Sequence, residues 1–181
     1  MPVLDVYSGP LHEGLDARSL TPEGASRAQR SLVIASALWG LLRPADRVPP
    51  YRLHVCSRLV GIDRLEPTWR AVLPDVLAEA AGPRGIVLDL RSPGYQAIGM
   101  PMGLADRTVA LRVDRAAWGQ RVGDVVAKRV RGRAARLLLE SGADPDAPER
   151  LLEVLGDRWR ARLEERGTRT HRWTLSLTAT D

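Results

Sequence analysis

Residues 31–53 read Ser-Leu-Val-Ile-Ala-Ser-Ala-Leu-Trp-Gly-Leu-Leu-Arg-Pro-Ala-Asp-Arg-Val-Pro-Pro-Tyr-Arg-Leu. The apolar run Leu32–Leu38 places a short buried strand over Ser31 to Ala37. That strand does not feed a helix. It reaches Gly40 and then a loop stiffened by Pro44, Pro49 and Pro50, which interrupts any regular strand–helix alternation. Proline fixes φ and restricts the residue before it, so the loop can hold Arg43, Asp46, Arg47, Tyr51 and Arg52 with little entropy left to lose. Two readings stand: a binding loop set on a rigid strand, or a stiff surface crossover whose arginines are merely solvated.

Outward from that stretch, Leu4 to Tyr7 reads as a short strand. Thr21-Pro22 reads as an N-cap with proline at the first helical position, opening a helix to about Arg30. From Leu65, the spacing of Trp69, Val72, Leu73, Val76, Leu77 and Ala80 predicts a helix, with Pro74 kinking or restarting it and Gly82-Pro83 closing it. Ile86 to Leu90 and Thr108 to Val113 read as strands. A long helix is expected from Gly123 to Ser141, ended by Gly142. Its core stripe is Val126, Val130, Ala134 and Leu137, beside a solvated stripe of Arg129, Arg133 and Arg136. Asp146 and Pro148 start another helix through Leu155, which Trp159 to Glu165 extends. His171 to Ala179 alternates as a half-exposed terminal strand. The fold class is α+β: a single mixed domain over residues 1–181, with an irregular sheet and flanking helices.

With 181 residues and 44% apolar content, the chain can bury one core. Lysine and arginine total 27 against 22 acidic residues, a net charge of +5 and a modest bias toward anionic partners. Residues 107–136 hold Arg107, Arg112, Arg115, Arg121, Lys128, Arg129, Arg131, Arg133 and Arg136 against Asp114 and Asp124, so a positive surface is expected there. Cys56 is the only cysteine, which excludes an internal disulfide and points to a reducing compartment. The first residues carry no signal-peptide pattern, and no stretch approaches the ~20 apolar residues of a membrane span. A cytoplasmic protein without a membrane partner is expected.

Lys128 is the sole lysine in an arginine-rich chain. An ammonium is a compact point charge that arginine does not replace geometrically. Gly132 shares its helix face with Lys128, and a glycine inside a helix costs about 1 kcal/mol relative to alanine. It therefore marks the close approach of a backbone or of a ligand. Asp89 ends a strand that runs into Ser92-Pro93-Gly94-Tyr95, a usual place for a site in a sheet protein. Ser92 either binds an anion or starts a turn, and Asp89 either orients a cation or pairs with an arginine. Cys56 is flanked by arginines, which would depress an exposed thiol's pKa. His12, His54 and His171 have no metal-ligand spacing, so no metal and no cofactor are expected.

Several stretches together resemble the YaaA peroxide-stress proteins. They are Ala37–Pro44 with Asp46 and Pro50–Leu53, then Trp69, Val87–Ser92 with Tyr95, Ala127–Gly132, and Asp5–Gly9. The resemblance covers nearly the whole chain. It implies resistance to hydrogen peroxide, limitation of free intracellular iron, and DNA binding through a positively charged cleft on an unusual mixed fold. The matching motifs nominate Arg43, Tyr51, Arg52, Lys128 and Arg131 for that cleft, with Asp46, Ser92 and Tyr95 beside them. The family ordinarily has a further N-terminal segment with a strand and a helix-hairpin-helix-like element, so this chain is expected to be a short member. Val130 stands where the family's lysine motif has a small residue.

Two functions follow. One is DNA binding (duplex, distorted or single-stranded) in the peroxide response. The other is an enzyme acting on a small anionic nucleotide- or nucleobase-like substrate in the same basic pocket, with Lys128, Tyr51 and Asp46 as candidate catalytic groups.

Overall fold

The computed structural model describes residues 1–101, 103–115, 122–164, 166 and 171–179. Its main sheet has four strands in the order β5 (Val87–Asp89), β6 (Thr108–Arg115), β8 (Trp173–Ala179) and β7 (Arg160–Glu164). The first two junctions are parallel and the last is antiparallel. Two short hairpins stand apart from it: β1 (Ile34–Ser36) with β2 (Gly40–Leu42), and β3 (Arg58–Leu59) with β4 (Asp63–Arg64). The helices are α1 (Val3–Val6), α2 (Pro10–Leu15), α3 (Pro22–Ser31), α4 (Leu65–Ala81), α5 (Pro93–Gln96), α6 (Asp124–Ser141) and α7 (Pro148–Gly156). This is one α+β domain without a barrel. No helix among the described residues is long and apolar enough to cross a membrane.

The principal core lies where α6 and α7 cover the main sheet. Val109, Leu111 and Val113 of β6 and Leu175 and Leu177 of β8 pack against Val130 and Ala134 of α6 and Leu151 and Leu155 of α7. A second cluster joins Ala37, Val55, Leu65, Leu73 and Ile98, seating α4 under the β1–β2 turn. A third puts Leu15 and Ala28 on Ala135 and Leu139 of α6.

Caps account for the long helices. The Thr21 side chain accepts from the Gly24 amide (3.1 Å) ahead of Pro22, and Gly142 ends α6 at φ +71°. Pro74 neither ends nor restarts α4, which is continuous. Residues 3–6 form a helical turn rather than a strand, with Asp5 N–H donating to the Pro2 carbonyl (3.0 Å). Residues 160–164 form a strand, not a helix. Arg160 and Arg162 face out while Ala161 and Leu163 face in, the period-two pattern that pairs β7 with β8. Glu165 lies outside the described residues. β8 is not a half-exposed edge but sits between β6 and β7, with Leu175, Ser176 and Leu177 buried.

The closest helix contact is α2 on α6. A Cβ at Gly132 would lie 2.0 Å from the Leu11 carbonyl oxygen, and one at Gly14 would lie 2.1 Å from the Arg129 carbonyl oxygen. Gly132 thus admits a backbone rather than a ligand. Val126, expected in the core stripe, is exposed. Arg129 and Arg136 are not free in solvent: Arg129 pairs with Glu13, and Arg136 donates to the carbonyls of Leu15, Asp16 and Ser19. Gly132→Ala is expected to destabilise the protein by about 3 kcal/mol in urea denaturation, although alanine is the better helix former. Stability equal to the parent would contradict this contact.

Candidate functional site

The turn between β1 and β2 is built on Ser36. Its fully buried Oγ accepts from the amides of Leu38 (3.2 Å) and Trp39 (2.9 Å). Trp69 Nε1 donates to the Ala37 carbonyl (2.8 Å) from α4. The indole leaves no room at Gly40, where a Cβ would lie 2.8 Å from the ring and φ is +75°. Turn and helix therefore fix each other.

Tyr51, at the end of the proline-stiffened loop, reaches this turn. Its hydroxyl lies 2.5 Å from Ser36 Oγ and 2.5 Å from the Tyr7 hydroxyl. Tyr7 and Tyr51 meet edge to face at 6.1 Å, and the His12 ring stacks on Tyr7 at 5.2 Å. Tyr95 packs against the neighbouring apolar cluster of Ala37, Val55, Leu65, Leu73 and Ile98. The chain has three tyrosines, and two of them, Tyr7 and Tyr51, meet here. Burial raises Tyr7 beyond the ordinary phenol range and also raises Tyr95, so both stay protonated. Tyr51 and Tyr95 are legible in the sequence. Tyr7, Ser36 and His12 are not singled out there as site residues; the matching stretch Asp5–Gly9 is the one available signal.

The nominated charges are distributed differently. Arg43 donates to the carbonyls of Leu32 (3.4 Å) and Ala80 (3.2 Å), tying α3 to the end of α4. The Asp46 carboxylate accepts from the Arg43 amide (2.7 Å) and closes that turn. Lys128 pairs with Asp124, one helical turn away. Arg131 donates to the Leu111 carbonyl (3.1 Å) and is half-buried, which lowers its pKa. Ser92 precedes α5 and makes no capping bond through its side chain. Arg52 is exposed, with no polar partner among the described residues.

Of the basic residues expected to form a positive surface over residues 107–136, Arg133 is exposed, whereas Arg107, Arg112, Lys128, Arg129, Arg131 and Arg136 are bonded within the molecule. Arg107 donates to the carbonyls of Gly82, Arg84 and Gly85, and Arg112 pairs with Asp114 and Glu164. Arg121 lies outside the described residues. The exposed arginines also include Arg47, Arg52 and Arg64, along the loop and the β3–β4 hairpin.

The model of the family described as "Peroxide stress protein YaaA" matches residues 1–164. The chain belongs to the YaaA peroxide stress protein family. It is 42% identical over 157 residues to a UPF0246 protein of Streptomyces coelicolor, covering 86% of this chain and 60% of that protein. A UPF0246 protein of Corynebacterium efficiens is 36% identical over 78% of this chain and 56% of its own length. One of Shewanella sediminis is 35% identical over 76% and 56%. The chain thus spans somewhat more than half the length of these curated relatives.

The family's strand-and-turn stretch at Val87–Ser92 owes its order to Asp89. Its carboxylate, almost fully buried, takes both arms of Arg91 (2.9 and 3.0 Å) and Arg172 Nη1 at 3.4 Å. Arg91 also donates to the carbonyls of Tyr95 (3.1 Å) and Gly99 (2.8 Å), so the ion pair holds α5, and Tyr95 with it, in place. Of the two readings of Asp89, the structural pair is the one formed. Cys56 is exposed, yet desolvation and then the Glu66 carboxylate raise its thiol pKa, outweighing Arg64; the depressed thiol is not found. Among the described residues no three His, Cys, Asp or Glu side chains are grouped to hold a metal.

Two outcomes follow from these contacts. Asp89→Asn leaves two guanidinium groups without their shared carboxylate and is expected to cost about 3 kcal/mol in urea denaturation; a loss below 1 kcal/mol would contradict the pair. Burial pushes the His12 pKa down to about 4 from an ordinary 6.5. Between those values the unfolded chain binds the extra proton, so stability falls as pH drops from about 6.5 to 4, by up to about 3 kcal/mol. His12→Gln should flatten that slope in denaturation curves taken across the same pH range.

Proposed function

We propose that the chain serves the response to peroxide by binding nucleic acid over the loop and hairpin of residues 47–64. The family name supports the stress role. The observation that carries the binding surface is the contrast among arginines. Within residues 107–136, Arg133 is exposed but Arg107, Arg112, Arg129, Arg131 and Arg136 are engaged with carboxylates and carbonyls, whereas Arg47, Arg52 and Arg64 are all exposed and form no ion pair among the described residues. Guanidinium groups left in water are the ones that can neutralise phosphates, and doing so releases counterions. The surface is short, so the affinity should be modest and strongly salt-dependent.

A second reading has its own observation. Tyr51 does not lie on the surface with Arg52 but enters the buried hydroxyl group of Ser36 and Tyr7, which suits a small anionic substrate better than a strand. Lys128, Tyr51 and Asp46 are the catalytic candidates for that reading. Asp46 and Lys128 are engaged elsewhere, so the tyrosine carries it.

Fluorescence anisotropy of labelled duplex and single-stranded DNA across a salt series tests the first reading. Replacing Arg47, Arg52 and Arg64 together by alanine should weaken binding and reduce the log–log salt slope by about 0.9 for each duplex phosphate no longer neutralised. Lys128→Ala should change it less. Undetectable binding near physiological salt, or a triple variant that binds like the parent, would sink the nucleic-acid reading.

A further inference from the structure

The tip of the β3–β4 hairpin, Leu59-Val60-Gly61-Ile62, has the wrong composition for a turn in water. Turn positions ordinarily go to Gly, Pro, Asn, Asp and Ser, which free φ or bond the backbone. Gly61 meets that need. The Ile62 amide donates to the Leu59 carbonyl (3.1 Å), and Gly61 takes φ +84° at the position where a type II turn requires glycine. Nothing in that geometry calls for β-branched aliphatic residues on either side of it. Yet Val60 is fully exposed, and Ile62 is 52% exposed. The base of the hairpin is seated. Leu65 is buried at the start of α4, Leu59 packs on the same apolar cluster, and the Leu65 amide donates to the Ser57 carbonyl (3.4 Å). Behind the tip, Arg58 and Arg64 stand opposite each other on the two strands, both exposed. With Asp63, residues 58–64 hold two arginines against one acid, a net charge of +1.

We propose that this tip is a wedge: Val60 and Ile62 enter a DNA duplex at a step that is already unstacked, beside an unpaired nucleotide, while Arg64 and Arg52 hold the flanking phosphates. The inference rests on the nucleic-acid reading and names the kind of DNA that the surface prefers. Proteins that kink DNA insert one or two aliphatic side chains between base pairs in this way. Unstacking costs free energy, and costs least where a base has no partner, so a wedge favours such sites over intact duplex. Arginines close behind the tip complement the phosphates on either side of the step. Other occupants suit it less. Membrane-surface segments present a continuous apolar face with Trp, Phe or Leu, whereas this tip offers two aliphatic side chains and no aromatic ring. A stable contact between two copies buries far more surface than two side chains supply.

The test compares a labelled duplex carrying 2-aminopurine beside one unpaired nucleotide with the same duplex fully paired. Anisotropy should show the parent binding the interrupted duplex at least about tenfold more tightly at the same salt, and 2-aminopurine fluorescence should rise on binding as its base unstacks. Val60→Ser/Ile62→Ser should lose both the preference and the rise, while the salt slope on the paired duplex, which the arginines set, stays that of the parent. Val60→Ser alone changes a fully exposed side chain, keeps the fold, and should lose part of the preference. Equal affinity of the parent for the two duplexes, or a double variant that keeps the preference, overturns the wedge and leaves the nucleic-acid reading standing. Absence of binding to either duplex overturns both. Two further results would also overturn the wedge. One is a double variant that binds DNA like the parent but no longer sediments with phosphatidylglycerol vesicles, which would give the tip to a membrane. The other is dimerisation of the parent that Val60→Ser abolishes, which would give it to a second copy.

Discussion

The contact that organises this molecule is the meeting of two helix backbones where no side chain intervenes. Gly14 and Gly132 let α2 lie against α6 at a distance that any Cβ would forbid. Because α6 also covers the main sheet, this contact, with the packing of α3 on α6, refers the N-terminal helices to that sheet. The junction is reinforced by polar bonds that finish helix ends. Arg136 serves the last carbonyls of α2, and Arg27 serves those of Leu139 and Glu140 near the end of α6. Tyr7 and His12 are thereby set down beside the β1–β2 turn, where they meet residues far along the chain.

An arginine-rich composition takes on a particular meaning in this setting. The guanidinium fork satisfies several carbonyls at once, and Arg43, Arg91, Arg107 and Arg136 are used in that way. A run of basic residues in the sequence is therefore a poor map of positive surface. What decides the electrostatic face is which arginines have been left without carbonyl or carboxylate partners. That test leaves Arg47, Arg52 and Arg64 of the loop and hairpin before α4 exposed, together with Arg133 of α6.

How much of this is legible depends on the range of the interaction concerned. Helices α3, α4 and α6 are readable because their signals are local: Thr21 before Pro22, apolar residues at helical spacing, Gly82 and Gly142 at the ends. Residues 3–6 are too short for periodicity to tell a helical turn from a strand. Residues 160–164 read as part of α7 because their alternation is brief and begins soon after that helix ends. Gly132 correctly marks a close approach, but the partner, α2, is more than a hundred residues away. The site divides in the same way. Tyr51 and Tyr95 sit in recognisable motifs, whereas Ser36 is hidden in an apolar run, and Tyr7 meets Tyr51 across 44 residues. Bonds of that range leave no trace in local pattern.

Central to this account is that the Tyr7, Ser36 and Tyr51 hydroxyls form one cooperative unit joining three segments of chain. A double-mutant cycle in urea denaturation with Tyr7→Phe, Ser36→Ala and the pair measures it most directly. The account predicts a coupling of about 1 kcal/mol, the two single losses exceeding their combined effect when added. Additivity to within about 0.3 kcal/mol would contradict it.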